Sequence, residues 1–269
     1  MASIDAAFSG SIPTIYDVYL GPIIFKPYAE DIAERLSGLR SGRVLETAAG
    51  TGIVTRELDR CLAPDVSIVA TDLNQPMLDL AAIRLLSDRL TWQMADASAL
   101  TFPDSAFDAV IYQFGLMFLP NKLKACQEAR RVLKPGGIFI FNVWDKLQYN
   151  ELAEIANATA GDMFPDDPPQ FLARTPHGYS DHAAIVETVR KAGFSKVAAE
   201  TVTKRSRAPS SREPAFGFCQ GSPLRKEIEA RDATRLDAVT WAVSENIAAR
   251  FGRGPVDAKM QAYVVTANN

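Results

Sequence analysis

A chain of 269 residues suffices for one large domain, or for a core domain with an elaboration. Its 47% hydrophobic and 23% charged content are those of an ordinary globular protein, and a net charge of −3 offers no broad basic surface, which argues against a nucleic-acid substrate. Cys61, Cys126 and Cys219 form no metal-type pair and read as free thiols. The N-terminal Met1-Ala-Ser-Ile-Asp-Ala6 carries no targeting pattern and no segment reaches the ~18 apolar residues of a membrane helix, so the cytoplasm is the expected location.

In chain order, residues 1–40 read as a helical leader in which Ala29, Ile32, Ala33 and Leu36 share one face. Its aromatic stretch from Tyr16 to Phe25 is broken by Gly21-Pro22, ahead of a helix at about 27–38. Residues 41–145 alternate strand and helix five times, the pattern of a doubly wound parallel sheet. The first strand carries an acid, Glu46, and enters a loop of small residues, Ala48, Ala49, Gly50, Thr51 and Gly52, before a helix. Such a loop lets the backbone approach a ligand, and the free N–H groups of the following helix face the same spot. The second strand ends at Asp72, which lies 22 residues after Gly50; an acid about 20 residues past such a loop takes the hydroxyls of a ribose. Leu73 follows, and Pro76 and Met77 open the next helix. A third strand ends at Asp96-Ala97, and a fourth at Gln113-Phe114. Arg131-Val-Leu-Lys-Pro-Gly-Gly137 then turns into the apolar run Ile138–Trp144. Residues 146–180 are rich in Pro and Asp and read as irregular; a helix at about 181–192 is stopped by Gly193, and a strand covers 196–203. Residues 205–258 look helical, with Leu236, Val239, Val243, Ile247 and Phe251 on one stripe capped by Gly252, and a strand at 261–267 closes the chain.

Leu45-Glu-Thr-Ala-Ala-Gly-Thr-Gly52, Thr71-Asp-Leu-Asn-Gln-Pro-Met77, Ala95-Asp-Ala97 and Leu133-Lys-Pro-Gly-Gly137 occur in an informative order and spacing. In them the chain resembles class I S-adenosylmethionine-dependent methyltransferases, and most closely the small-molecule branch of ubiquinone/menaquinone-biosynthesis type. The resemblance covers roughly residues 40 to 145. It implies a Rossmann-like, seven-stranded, mostly parallel sheet with an antiparallel last strand, an N-terminal helical lid over 1–40, a cofactor-binding domain over 41–204 and 259–269, and a helical insertion over 205–258 before the last strand. One departure is Ala48, where the family usually carries Gly; a methyl group is tolerated there if the backbone stays out of the left-handed region.

The resemblance further implies S-adenosylmethionine as cofactor and a small-molecule methyl acceptor, with no metal; of oligomeric state the residues say nothing. The loop Ala48–Gly52 faces the methionine part and Glu46 takes its ammonium group. Asp72 accepts from the ribose, Leu73 and Met77 flank the adenine, Asp96 accepts from the adenine amino group and the Ala97 N–H donates to the ring. Gln113 and Phe114 lie beside the methyl, and Tyr19 and Phe25 of the leader cover the cofactor. The sulfonium carries the hard chemistry, so no catalytic residue need stand out and none does. His177 and His182 read as filler rather than as bases. Two alternatives are a nicotinamide-dependent oxidoreductase, whose loop would have Gly where Thr55 stands, and a cofactor-binding protein of the same fold without catalysis.

Overall fold

The computed structural model describes residues 8–269, so the segment Met1–Ala6 lies outside them. The leader contains α1 (Ile12–Ile15), a π-helical segment (Tyr16–Phe25) and α2 (Lys26–Arg35). The break expected at Gly21-Pro22 is absent: the helix runs through it. Pro22 lacks an N–H and its ring clashes with a four-residue ladder, whereas here the spacing widens to five, with Lys26 N–H donating to Gly21 O. There follow β1 (Gly42–Thr47), α3 (Ile53–Cys61), β2 (Val66–Asp72), α4 (Gln75–Arg84), β3 (Leu90–Met94), β4 (Phe107–Gln113), α5 (Lys122–Val132) and β5 (Leu133–Trp144). Then come α6 (Glu151–Met163), α7 (Phe171–Arg174), α8 (His182–Lys191), β6 (Lys196–Ala208), α9 (Arg212–Gln220), α10 (Leu224–Asp232), α11 (Leu236–Phe251) and β7 (Val256–Asn268). Residues 146–180 are therefore not irregular, because α6 occupies their first half, and β6 extends five residues beyond the expected strand end at 203. No described helix is long and apolar enough to cross a membrane.

The strands form one seven-stranded sheet in the order β3-β2-β1-β4-β5-β7-β6. The pairs β1–β2, β1–β4, β2–β3 and β4–β5 are parallel. The last strand runs antiparallel to β5: Gly136 N–H donates to Asn269 O, Asn269 N–H to Gly137 O, and Asp145 N–H to Gln261 O. This is the Rossmann-like α/β sheet that the resemblance implies. Contacts divide the chain into two units: Tyr28–Val143 with Tyr179–Val202 and Ala262–Asn269, and Met1–Pro27 with Trp144–Gly178 and Thr203–Gln261.

In the first unit the central strands are near-continuous apolar runs, as strands covered on both faces must be; Val44, Leu45, Ala70, Ala109, Val110, Ile111, Phe139, Ile140 and Phe141 are fully buried. Ala29, Ile32 and Ala33 are buried as the leader's apolar face requires, and Tyr28 Oη donates to Val202 O at 2.9 Å. Pro76 lies in the first turn of α4, and Asn121 and Asp181 cap α5 and α8 by accepting from Lys124 and Ala184 N–H. The expected fivefold alternation fails once, because no helix separates β3 from β4. Arg131 of α5 organises that stretch instead. Its guanidinium donates to Leu100 O and Phe102 O, each at 2.8 Å, and pairs with Glu128 at 2.8 Å and Asp104 at 2.8 Å, while Glu128 also accepts from Leu100 N–H. Fixed donors of this kind satisfy carbonyls that a helix would otherwise have paired.

The second unit is mainly helical. Leu236, Val239, Val243 and Ile247 form the buried stripe of α11, which packs against α6 and α9, and Gly252 closes the helix at φ +89°. Gly217 lets α9 approach the π-helical segment closely, since a Cβ there would stand 2.7 Å from Leu20 Cδ2. The Pro- and Asp-rich stretch is held by ions: Glu227 accepts from the N–H groups of Gln170 and Phe171 and pairs with Arg174, and Arg231 pairs with Asp167.

Replacing Arg131 by Met removes four charge-assisted partners, two of them the backbone carbonyls of Leu100 and Phe102. Arg131→Met is expected to lower the unfolding free energy by about 2–3 kcal/mol. Urea denaturation measures this, and an unchanged midpoint would show that the β3–β4 connection needs no such tie.

Candidate cofactor site

Strand β1 lies between β2 and β4, where the order of the sheet reverses, and ligands of such sheets bind beyond the strand carboxyl ends at that point. The register aligns those ends: Thr47 pairs with Thr71, Asp72 with Met94, Glu46 with Ala70 and Ile111, and Gln113 with Asn142. Thr47 Oγ1 donates to Ile111 O and Thr71 Oγ1 to Glu46 O, which ties the three ends together.

The loop between β1 and α3 is turned by three left-handed residues, Ala48 (φ +54°), Gly50 (φ +56°) and Gly52 (φ +77°). Ala48 thus adopts the angle that its methyl group was expected to avoid, at a cost of about 1–2 kcal/mol. Gly115 makes room for it: a Cβ on Gly115 would stand 2.6 Å from Ala48 Cβ. Ala49 N–H donates to Thr71 O and Gly52 N–H to Ala49 O, both at 2.9 Å. The two glycines differ. Gly52 closes against the protein, since a Cβ there would lie 2.8 Å from Trp92 Cη2 and 3.2 Å from Ala81 Cβ. Gly50 faces open space, with nothing within 4 Å of a Cβ.

Asp72 is buried, and its two oxygens are divided. Oδ2 accepts from Gly50 N–H at 2.8 Å, while Oδ1 accepts from Asn74 N–H at 2.8 Å and Asn74 Nδ2 at 3.2 Å. Burial raises its pKa and these hydrogen bonds oppose the rise. Glu46 is 1% exposed and accepts from Thr55 Oγ1 at 2.6 Å. Burial pushes it up to about 8, the Thr55 hydroxyl opposes this, and the negative charge of Asp72 adds to it. Thr55, which stands where a nicotinamide loop has its third glycine, is therefore the partner of Glu46; only its place on the first turn of α3 hinted at this.

The other expected residues of this unit are distributed around the same strand ends. Leu73 is 48% exposed, Met77 is buried, Asp96 is exposed and accepts from Ser98 N–H at 2.7 Å, and Ala97 is half-buried. Phe114 is buried at φ +48°, edge-on to Tyr28 at 5.2 Å. Asn142, which the sequence reading passed over, sets this corner: its Oδ1 accepts from Phe114 N–H at 2.9 Å and its Nδ2 donates to Gln113 Oε1 at 3.3 Å. Tyr19 and Phe25 belong to the other unit. There Tyr19 tilts against Phe216 at 4.9 Å, and Phe25 stacks on Tyr16 at 4.6 Å with Trp144 at 6.2 Å.

Comparison with known proteins bears on this geometry. The family described as "Methyltransferase domain" matches residues 45–141. The ubiquinone/menaquinone biosynthesis C-methyltransferase UbiE of Pseudomonas aeruginosa is 33% identical over 182 residues, which cover 62% of this chain and 71% of that enzyme. The chain belongs to the S-adenosylmethionine-dependent methyltransferases. UbiE of Hydrogenovibrio crunogenus is 32% identical over 178 residues, covering 61% of this chain and 70% of that enzyme. Among solved structures, phosphoethanolamine N-methyltransferase 2 of Haemonchus contortus, in complex with S-adenosylhomocysteine, superposes with a TM-score of 0.62 at 17% identity, covering 96% of this chain and 56% of that one. The [4+2]-cyclase SpnF superposes with a TM-score of 0.57 at 20% identity, covering 96% and 93%. The fold is thus shared by proteins of different chemistry, and it does not choose the acceptor.

S-adenosylmethionine is the cofactor of this family, and it supplies an electrophilic methyl group. The open side of Gly50 and two buried acids at adjacent strand ends fit a ligand bearing an ammonium group and a ribose.

Without ligand, Glu46 is a liability at alkaline pH. Its folded pKa of about 8 lies above the ordinary 4.5, so its contribution to stability is complete below about pH 4.5 and is lost as pH rises through about 8. A glutamine keeps an acceptor for Thr55 and does not titrate. The unfolding free energy of ligand-free Glu46→Gln relative to the parent, measured by urea denaturation, is therefore expected to climb between pH 5 and 8, at up to about 1.4 kcal/mol per pH unit. A difference independent of pH would refute the buried, neutral carboxyl.

Proposed function

We propose that the protein transfers the methyl group of S-adenosylmethionine to a small aromatic acceptor of the quinol type. The observation that carries the acceptor class is the 33% identity to a quinone-biosynthesis C-methyltransferase. In this reading the Ala48–Gly52 loop holds the methionine part, with Glu46 on its ammonium group; a cation there draws Glu46 into its ionised form. Asp72 holds Gly50 through Oδ2 and Asn74 through Oδ1, and offers its remaining lone pairs to the ribose hydroxyls. Leu73 and Met77 flank the adenine, Asp96 and Ala97 meet its polar edge, and Gln113 and Phe114 border the methyl end. Tyr19 and Phe25 cover the cofactor, as the sequence suggests. The protein's work is to place the acceptor in line and to exclude water.

A mass-spectrometric assay with S-adenosylmethionine and a short-chain 1,4-naphthoquinol, kept reduced, tests the acceptor: a product heavier by one methylene is expected, and its absence overturns the quinol assignment. Asp72→Ala is expected to weaken S-adenosylhomocysteine binding by roughly tenfold to a few hundredfold, since charge-assisted bonds to two hydroxyls are lost. Calorimetry on the folded variant measures this, and unchanged affinity removes Asp72 from the site. For the leader, amide exchange over residues 14–25 is expected to slow with saturating S-adenosylhomocysteine; equal rates would leave Tyr19 and Phe25 outside the site.

A further inference from the structure

The loop between β1 and α3 is fastened on one side by hydrogen bonds and on the other by contact. Toward β2, Ala49 N–H donates to Thr71 O and Gly50 N–H to Asp72 Oδ2. Toward β4, its first residue meets the turn that leaves that strand, Phe114-Gly115. A Cβ on Gly115 would stand 2.6 Å from Ala48 Cβ and 2.2 Å from Tyr112 Cε2. The bare Cα of Gly115 is therefore wedged between the Ala48 methyl group and the Tyr112 ring, which is itself buried.

Both sides of this contact carry left-handed residues, Ala48 at φ +54° and Phe114 at φ +48°. Neither is a glycine, so each angle has to be held by its surroundings. For Phe114 the holder is Asn142. The pairing of β4 with β5 ends at Gln113 and Asn142. One residue further on, Phe114 N–H donates to Asn142 twice, to its backbone oxygen at 3.1 Å and to its side-chain Oδ1 at 2.9 Å. The amide cannot turn over. Its Nδ2 donates to Gln113 Oε1 at 3.3 Å, and a turned amide would set two donors against each other at Phe114.

Asn142 also stands where an apolar residue would be expected. Phe139, Ile140 and Phe141 before it and Val143 after it are fully buried, and so is Asn142 itself. A polar side chain in such a run carries a desolvation cost, which its hydrogen bonds must offset. The packing of the strand does not call for an amide at this place; the turn after β4 does.

We infer that Asn142 is a positioning residue for the cofactor loop: by fixing Phe114 it sets Gly115 against the Ala48 methyl group and keeps Ala48 at the left-handed angle in which the loop receives the methionine half of the ligand. This deepens the proposed function and rests on its assignment of the loop to that half. The Ala48 methyl group transmits the contact. A glycine at 48 would take the same angle unaided and would offer no methyl group to press on. The dependence on Asn142 thus comes from the alanine that this chain carries there.

The test is a double-mutant cycle on the full chain, read by calorimetry with two probes. One is S-adenosylhomocysteine; the other is 5′-methylthioadenosine, which keeps the nucleoside and lacks the amino-acid arm. Asn142→Leu fills the same space without the amide. It is expected to weaken S-adenosylhomocysteine binding by about tenfold and methylthioadenosine binding by less than about twofold. In the Ala48→Gly background the same substitution is expected to cost S-adenosylhomocysteine less than about twofold. A general loosening of the fold would instead weaken both probes and persist in that background. A second measurement leaves Asn142 in place. Amide exchange at Phe114 and Gly115 is expected to slow with saturating S-adenosylhomocysteine in the parent, and to slow less in Ala48→Gly, because coupling between two places is reciprocal. Unchanged S-adenosylhomocysteine affinity in Asn142→Leu, an undiminished loss in the Ala48→Gly background, or equal slowing of exchange in parent and Ala48→Gly overturns the assignment. Relief by Ala48→Gly with equal loss for both probes would leave Asn142 in place and remove only the assignment of the loop to the methionine half.

Discussion

The hydrogen bond from Gly50 N–H to Asp72 is the interaction on which the candidate cofactor site depends. It joins the loop after the central strand to the end of its neighbour, and with Ala49 N–H on Thr71 O it fixes the loop at two consecutive amides. The left-handed angles at Ala48, Gly50 and Gly52 are tolerated because that junction over-determines them. One aspartate so acts as a structural clasp, with Oδ2 on Gly50 and Oδ1 on Asn74. This is why it is buried, and why burial does not leave it partnerless.

Glu46 sits one step deeper, and its environment is of the opposite kind. Where Asp72 gathers three donors, Glu46 has the Thr55 hydroxyl, so desolvation dominates and the group prefers its proton. The two acids also repel each other through their charges. A cationic ligand relieves both problems at once.

How much of this was legible in the sequence follows from the range of the interactions. The motif Leu45–Gly52, the strand-end acids and the 22-residue spacing are local, and the register of parallel strands converts them directly into one site. The stripe of α11 and its closure at Gly252 are likewise short-range. What was missed is long-range or depends on context. Asn142 lies 28 residues from Phe114, and no local pattern marks a buried amide that turns the end of a distant strand. Arg131 replaces a helix with side-chain donors reaching back to Leu100 and Phe102, an override of alternation that strand spacing does not announce. Pro22 reads as a breaker at four-residue spacing, and only the wider turn of the π-helical segment makes it compatible. A lone histidine carries no sequence signal of its own, and the partner of His177 is a carbonyl 32 residues away.

The two units thus solve the problem of buried ionisable groups in opposite directions. At the strand ends, desolvation raises two acids, so a cation gains by restoring their charge. In the helical unit, desolvation lowers a base, His177, against the pull of Asp145. Burial penalises whichever form is charged, so the same desolvation that favours the protonated form of an acid favours the neutral form of a base.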